Sequence, residues 1–153
     1  MTHAFGKITL FFCAGAILVA THKTEISQMR GIGRVMPVTT LAFLIGSLSI
    51  IGLPPFAGLW SKWYLALGAL DDGKMFLVGV LMLSSLLNIA YLLPIPFRGF
   101  FCRPDGTGAN DAVAIKEAPY PCLIAIGITA LGCLVLFFYP DPIYDLMRSV
   151  VAP

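Results

Sequence analysis

The sequence predicts an all-α integral membrane protein with about five transmembrane helices, one of them broken at a Gly-Leu-Pro-Pro stretch. Three observations carry this reading. Of the 153 residues, 58% are hydrophobic and only 12% are charged, about half the charge a soluble domain carries. The apolar residues fall in long runs that approach the roughly 20 needed to cross a hydrocarbon core of about 30 Å. One of the most apolar parts of the chain is interrupted at residues 52–65 by GLPPFAGLWSKWYL, where a proline pair is followed by a lysine.

The first apolar run, Ala4 to Thr21, follows a basic start, MTHAFGK. A signal peptide begins the same way. Leu18-Val19-Ala20 is a poor cleavage site, however, and the remaining chain would still be strongly hydrophobic, so a membrane helix is the better reading. A polar connector from His22 to Arg34 carries Gly31 and Gly33, which suit a turn. The second run, Met36 to Leu53, opens with Pro37, well placed in a first helical turn where its missing N–H costs nothing. After Pro54-Pro55 the third run extends from Phe56 to Leu70, and Asp71-Asp72-Gly73-Lys74 reads as a short turn. The fourth, Met75 to Phe97, ends in Pro94-Ile95-Pro96. Arg98 to Ala118 is the one soluble-looking loop, and Tyr120 to Tyr139 is the last span. Residues 1–139 thus read as a transmembrane domain. Residues 140–153 read as a short interfacial tail carrying Tyr144, Leu146, Met147 and Val150.

The second and third runs leave a topological choice. As one pass, residues 36–70 make roughly 52 Å of ideal helix, far more than the bilayer core needs. As two passes, the third run is short for a straight span. A break at membrane depth relieves either case, provided protein or a watery cavity satisfies the freed backbone groups. One pass would put Lys23, Arg30, Arg34, Arg98, Arg103 and Lys116 on one side against Lys74 and Arg148 on the other, and two passes give a nearly even split, so orientation stays open.

Composition also removes function classes. A formal net charge of +2, with no basic stripe interleaved with aromatics, does not describe a nucleic-acid binder. Cys13, Cys102, Cys122 and Cys133 show neither CxxC nor Cys/His ligand spacing, and a thiol in an apolar run behaves as a small hydrophobe. Gly31 and Gly33 lack the GxGxxG pattern and preceding strand of a phosphate loop. No nucleophile–base set is legible, and nothing reads as a flavin, iron–sulfur, nicotinamide or metal site, so no cofactor and no soluble-type catalytic site are expected.

Two groups of residues could carry chemistry. Lys62, among Trp60, Trp63 and Tyr64, reads either as a snorkelling interface anchor or as an intramembrane ionisable group on a hydrated path, since desolvation eases proton release from an ammonium. His3 and Lys7, four apart, share a helix face about 5–6 Å apart at Cβ and could pass protons, or could lie at a frayed, solvated helix end. Glu25, Asp71 and Asp72 fall in connectors and read as solvated. Ser84, Ser85 and Asn88 read as hydrogen-bonding groups that join helices.

HAFGKITLFFCAGAI (3–17), RGIGRVMP (30–37) and SIIGLPPFAGLWSKWYL (49–65) together resemble the antiporter-like membrane proteins. That family holds the Mrp-type sodium/proton antiporter subunits and the proton-pumping subunits of respiratory complex I. The wording of KITLFFCAGAI, THKTEISQMRGIGRVMP and KEAPYP resembles the D-type member of the Mrp antiporter most. The resemblance implies that His3 and Lys7 line a central polar axis. It also implies that Lys62 follows the break of a discontinuous helix formed by Gly52, Pro54, Pro55 and Gly58, which makes Lys7, Lys62 and His3 a proton relay. Family members have about fourteen helices in two inverted repeats, and this chain resembles only the last five or so, so it reads as a C-terminal fragment. The implied function is a proton-translocating subunit of a multisubunit monovalent cation/proton antiporter, acting on protons and sodium with partner subunits in a bacterial inner membrane. The alternative is a membrane-arm proton-pumping subunit of a complex I-type NADH:quinone oxidoreductase. A helical module that only docks to partners is the third possibility.

Overall fold

The computed structural model describes residues 2–21, 31–102, 117–141 and 144–145. Every regular element among them is an α-helix. In chain order these are α1 (Thr2–Thr21), α2 (Ile32–Val35), α3 (Pro37–Ile51), α4 (Gly58–Asp71), α5 (Met75–Leu92), α6 (Pro94–Phe101) and α7 (Tyr120–Phe138). Three runs, His3–Thr21, Met75–Phe101 and Tyr120–Phe138, are long and apolar enough to cross a membrane, and Pro37–Ile51 is a shorter apolar helix. The protein is an all-α integral membrane protein.

The core lies where α1, α3 and α7 cross. Cys13, Ala16, Ile17, Met36, Ala42, Phe43, Ile126 and Ala130 are buried together there. Lipid tails are as apolar as leucine, so association between such helices depends on close packing, which small residues permit. At the α1–α3 contact Gly6 faces Gly46. A Cβ on Gly46 would stand 3.3 Å from the Gly6 carbonyl oxygen and the same distance from Leu10. Hydroxyls buried in these helices turn back on their own backbone: Thr9 donates to the Phe5 carbonyl, Thr40 to that of Met36 and Ser47 to that of Phe43. They are thereby satisfied within one helix. The outer face of α5 is apolar and open, with Phe76 81% and Leu86 65% exposed, a surface suited to lipid or to further protein.

The choice between one pass and two is resolved by what lies beside each residue of 36–70. Gly99 packs against Thr40. Leu92 shares a cleft with Phe43, and Ser84 shares it with Ile50. Ser85 bonds to Lys62, and Leu77 and Leu81 line a groove with Leu65 and Gly68. From Thr40 to Gly68 the partners run back from Gly99 to Leu77, level only across the break where Ile50 and Lys62 meet Ser84 and Ser85, so α3 and α4 together run antiparallel to the continuous stretch α5–α6. Against α7 the order is parallel: Thr39 meets Glu117, Ala57 meets Cys133 and Trp60 meets Phe137. Residues 36–70 therefore form one helical run with a break in its middle.

Two boundaries differ from the sequence reading. Pro94-Ile95-Pro96 does not end the fourth span. Leu93 keeps right-handed helical dihedrals, its amide bonds to Ile89 and its carbonyl accepts from Phe97. A proline in the first turn of a helix lacks only an N–H that would have had no partner there, so α6 carries the run on through Arg98 to Phe101. The polar connector likewise ends early, because Gly31, at φ 71°, starts α2. Residues 22–30 of that connector, 103–116 of the loop, and 142–143 and 146–153 of the tail lie outside the described residues.

Candidate functional site

The break is built by its glycines and prolines. Gly52 ends α3 in the left-handed conformation, φ 86°, which glycine adopts without a Cβ penalty. The amides of Gly52 and Leu53 both donate to the Leu48 carbonyl. Pro54 and Pro55, joined by a cis peptide bond, bring no N–H that would need a partner at membrane depth. Phe56 donates to the Leu53 carbonyl, and Ala57 reaches across to the Cys133 carbonyl on α7 at 3.1 Å. The loop thus closes its own hydrogen bonds, the condition for irregular backbone inside a membrane. Gly58 then opens α4 directly against α3, where a Cβ would run into the Ser49 carbonyl.

A helix that stops this way leaves carbonyls unpaired at its end, carrying the negative pole of its dipole. Lys62 occupies that position. One turn into α4, its stem lies over Gly52, where a Cβ would come within 3.0 Å of the lysine Cδ. Its ammonium donates to the Ile51 carbonyl at 2.8 Å and to the Ser85 hydroxyl of α5 at 2.7 Å. Ser85 in turn donates to the Leu81 carbonyl. The side chain is half-buried and is directed at the break. Its aromatic neighbours face elsewhere: the Trp60 indole donates to the Phe137 carbonyl at 3.0 Å, and Tyr64 stacks on Tyr144. Ser49, at the same level, is 1% exposed, and among the described residues its hydroxyl is buried without a hydrogen-bond partner.

His3 and Lys7 project together into a cleft of about 580 Å³ between α1, α3 and α5, whose polar wall is Ser84, Asn88 and Tyr91. Tyr91 donates to the Asn88 side-chain oxygen at 2.7 Å. His3 lies within electrostatic reach of both Lys7 and Lys62, so the three basic residues singled out in the sequence gather on one side of the molecule. The adjacent serines of α5 link the two groups, Ser85 holding Lys62 while Ser84 lines the cleft of His3 and Lys7. Asp71 and Asp72 are exposed, and Asp72 pairs with Lys74 at 2.8 Å in the turn. Glu25 lies outside the described residues.

Sequence reasoning missed the partners of Lys62. The Ile51 carbonyl was signalled only indirectly, by a glycine C-cap before two prolines. Ser85 was legible as a group that joins helices but not as an acceptor for this ammonium. Glu117 bonds the start of α3 from 78 residues away, a contact that no local pattern announces.

Fold and break together define a membrane subunit organised around a discontinuous helix. The chain belongs to the NADH:quinone oxidoreductase/Mrp antiporter transmembrane family, whose model matches residues 1–88. It is 38% identical to NADH-quinone oxidoreductase subunit N of Desulforudis audaxviator over 100% of this chain and 32% of that protein. It is 27% identical to F(420)H(2) dehydrogenase subunit N of Methanosarcina mazei, over 95% of this chain and 30% of the relative. Against NADH-quinone oxidoreductase subunit L of Rickettsia bellii the identity is 40%, over 62% of this chain and 15% of the other. The chain spans about a third or less of the length of these relatives. They are named as subunits of oxidoreductases and a dehydrogenase, so they favour the complex I-type alternative of the sequence reading over its likeness to an Mrp antiporter.

Proposed function

We propose that this chain is the part of a complex I-type membrane-arm subunit that carries Lys62 as an intramembrane proton carrier, with Lys7 and His3 as its relay partners. The observation that carries this reading is the placement of the Lys62 ammonium between the open end of α3 and the Ser85 hydroxyl, 2.8 and 2.7 Å away. An open helix end stabilises a cation without a carboxylate, so among the described residues the ammonium is held but not locked in an ion pair. Like charges nearby disfavour a second positive charge. A proton arriving at His3 or Lys7 therefore loosens the one on Lys62, and its departure restores the affinity of the cleft. Cleft and break share the serine pair of α5, which gives hydroxyls along the way. The electron-transfer chemistry belongs to partner subunits, and this chain serves as the pump part, in a bacterial inner membrane.

The test uses inverted membrane vesicles that hold the complete polypeptide in its assembled complex, with NADH-driven acidification followed by a fluorescent probe. Lys62→Arg should assemble, retain quinone reduction and lower acidification, because arginine does not release its proton at physiological pH. Lys7→Ala should reduce acidification in the same way. Full acidification in Lys62→Arg would remove proton release from Lys62 as the mechanism. Sodium-driven proton movement in the absence of NADH would favour the cation/proton antiport reading, which the family description also covers.

A further inference from the structure

Opposite charges hold α3 at its two ends. At its start the Glu117 carboxylate, just before α7, accepts from the Val38 amide at 2.8 Å and from the Thr39 hydroxyl at 2.9 Å. The N-cap residue Met36 gives α3 no side-chain cap, so Glu117 fills that role from another part of the chain. At the far end stands the Lys62 ammonium, on the Ile51 carbonyl. A helix dipole favours an anion at the first position and a cation at the second. Between them α3 is PVTTLAFLIGSLSII, 15 residues without an ionisable side chain, so its ends lie about 22 Å apart with apolar packing and aligned peptide dipoles between them.

We propose that Glu117 is a positioning residue for Lys62: acting along α3, it supports the ammonium form and fixes the Ile51 carbonyl that receives it. Proton occupancy at the break then depends on a carboxylate at the opposite end of the helix. The inference rests on the reading of Lys62 as a proton carrier. A unit charge about 25 Å away, in an effective dielectric near 20, moves a titration by about half a pH unit. The other ionisable groups on the elements packed against α4 are His3, Lys7 and Cys13 on α1, Tyr91 on α5, and Tyr120, Cys122 and Cys133 on α7. Tyr64 and Asp71 lie on α4 itself, Asp72 and Lys74 in the turn that follows it, and none on α3. All are left intact in the substitutions below.

The experiment records NADH-driven acidification against pH in vesicles carrying the complete polypeptide in its complex. Glu117→Gln should move the alkaline limb of the rate profile to lower pH by about half a unit, and Glu117→Asp should restore it. Val38→Asp, at an exposed position in the first turn of α3, adds a carboxylate at the same end and should move the limb to higher pH. A cap that is only structural would change the rate at every pH and leave the limb where it is. An unmoved limb in Glu117→Gln and Val38→Asp, with the proton yield per NADH reduced in Lys62→Ala, overturns this inference alone. An unchanged proton yield in Lys62→Ala overturns the reading beneath it. Should Glu117→Gln fail to assemble, the direction of the Val38→Asp shift decides by itself.

Discussion

Replacing Ser85 with alanine isolates one of the two groups that hold Lys62. The hydroxyl accepts from the ammonium at 2.7 Å and, among the described residues, otherwise bonds within its own helix, to Leu81 at 3.0 Å. Its removal therefore takes a ligand from Lys62 without loosening α5 from its neighbours elsewhere. A hydrogen bond to a charged group contributes about 1.5–3 kcal/mol. Lys62 is half-buried, so water takes over part of the lost bond, leaving about 1 kcal/mol, or roughly a fivefold loss of the held ammonium. Acidification by NADH-energised vesicles should fall about fivefold, while NADH oxidation and the amount of assembled complex stay at the parental level. Ser85→Thr, which keeps the hydroxyl, should recover most of the rate. Parental acidification in Ser85→Ala would overturn this role for Ser85, because the bond would then hold nothing that transport uses. An equal loss in Ser85→Thr would refute it too.

Further outcomes follow from packing and surface charge. Gly58→Ala drives a Cβ into the Ser49 carbonyl and should cost several kcal/mol, about the upper range for overpacking, seen as a lowered midpoint in detergent thermal denaturation. Gly15→Ala, with nothing within 4 Å, should be neutral or slightly stabilising in the same assay, since alanine is the better helix former. Trp60→Phe removes the indole donor to the Phe137 carbonyl but keeps an aromatic ring between Tyr64 and Phe137. It should cost about 1 kcal/mol in thermal stability and leave acidification intact. Lys74→Ala breaks an ion pair whose side chains are 61% and 67% exposed; both stability and transport should stay at the parental level, as for most surface pairs.

Much of this fold was legible because membrane helices are written in long apolar runs. The first and last spans fall within a few residues of α1 and α7, and Pro37 stands at a helix start as expected. Gly52, Pro54 and Pro55 marked the break between α3 and α4. Pro94 misled because a proline is punctuation only where its N–H is needed, and in the first turn of α6 it is not. The course of residues 36–70 was not legible, since run length alone fits one broken pass or two. The decision came from contacts with α5 and α7, which are remote in sequence. The same applies to the site. Lys62, Lys7 and His3 could be named from the sequence, but the Ile51 carbonyl is a backbone atom that no pattern displays, and Ser85 and Glu117 act on helices far from their own position in the chain.

The proposal beneath the rest is that the ammonium at the break carries protons. Its most direct test is the number of protons translocated per NADH oxidised in vesicles holding Lys62→Ala in the complete, assembled subunit. Retained NADH oxidation with a reduced proton yield is expected, because the electron-transfer partners are untouched while this carrier is missing. An unchanged proton yield per NADH would contradict it, and would leave Lys62 as a side chain that merely closes the end of α3.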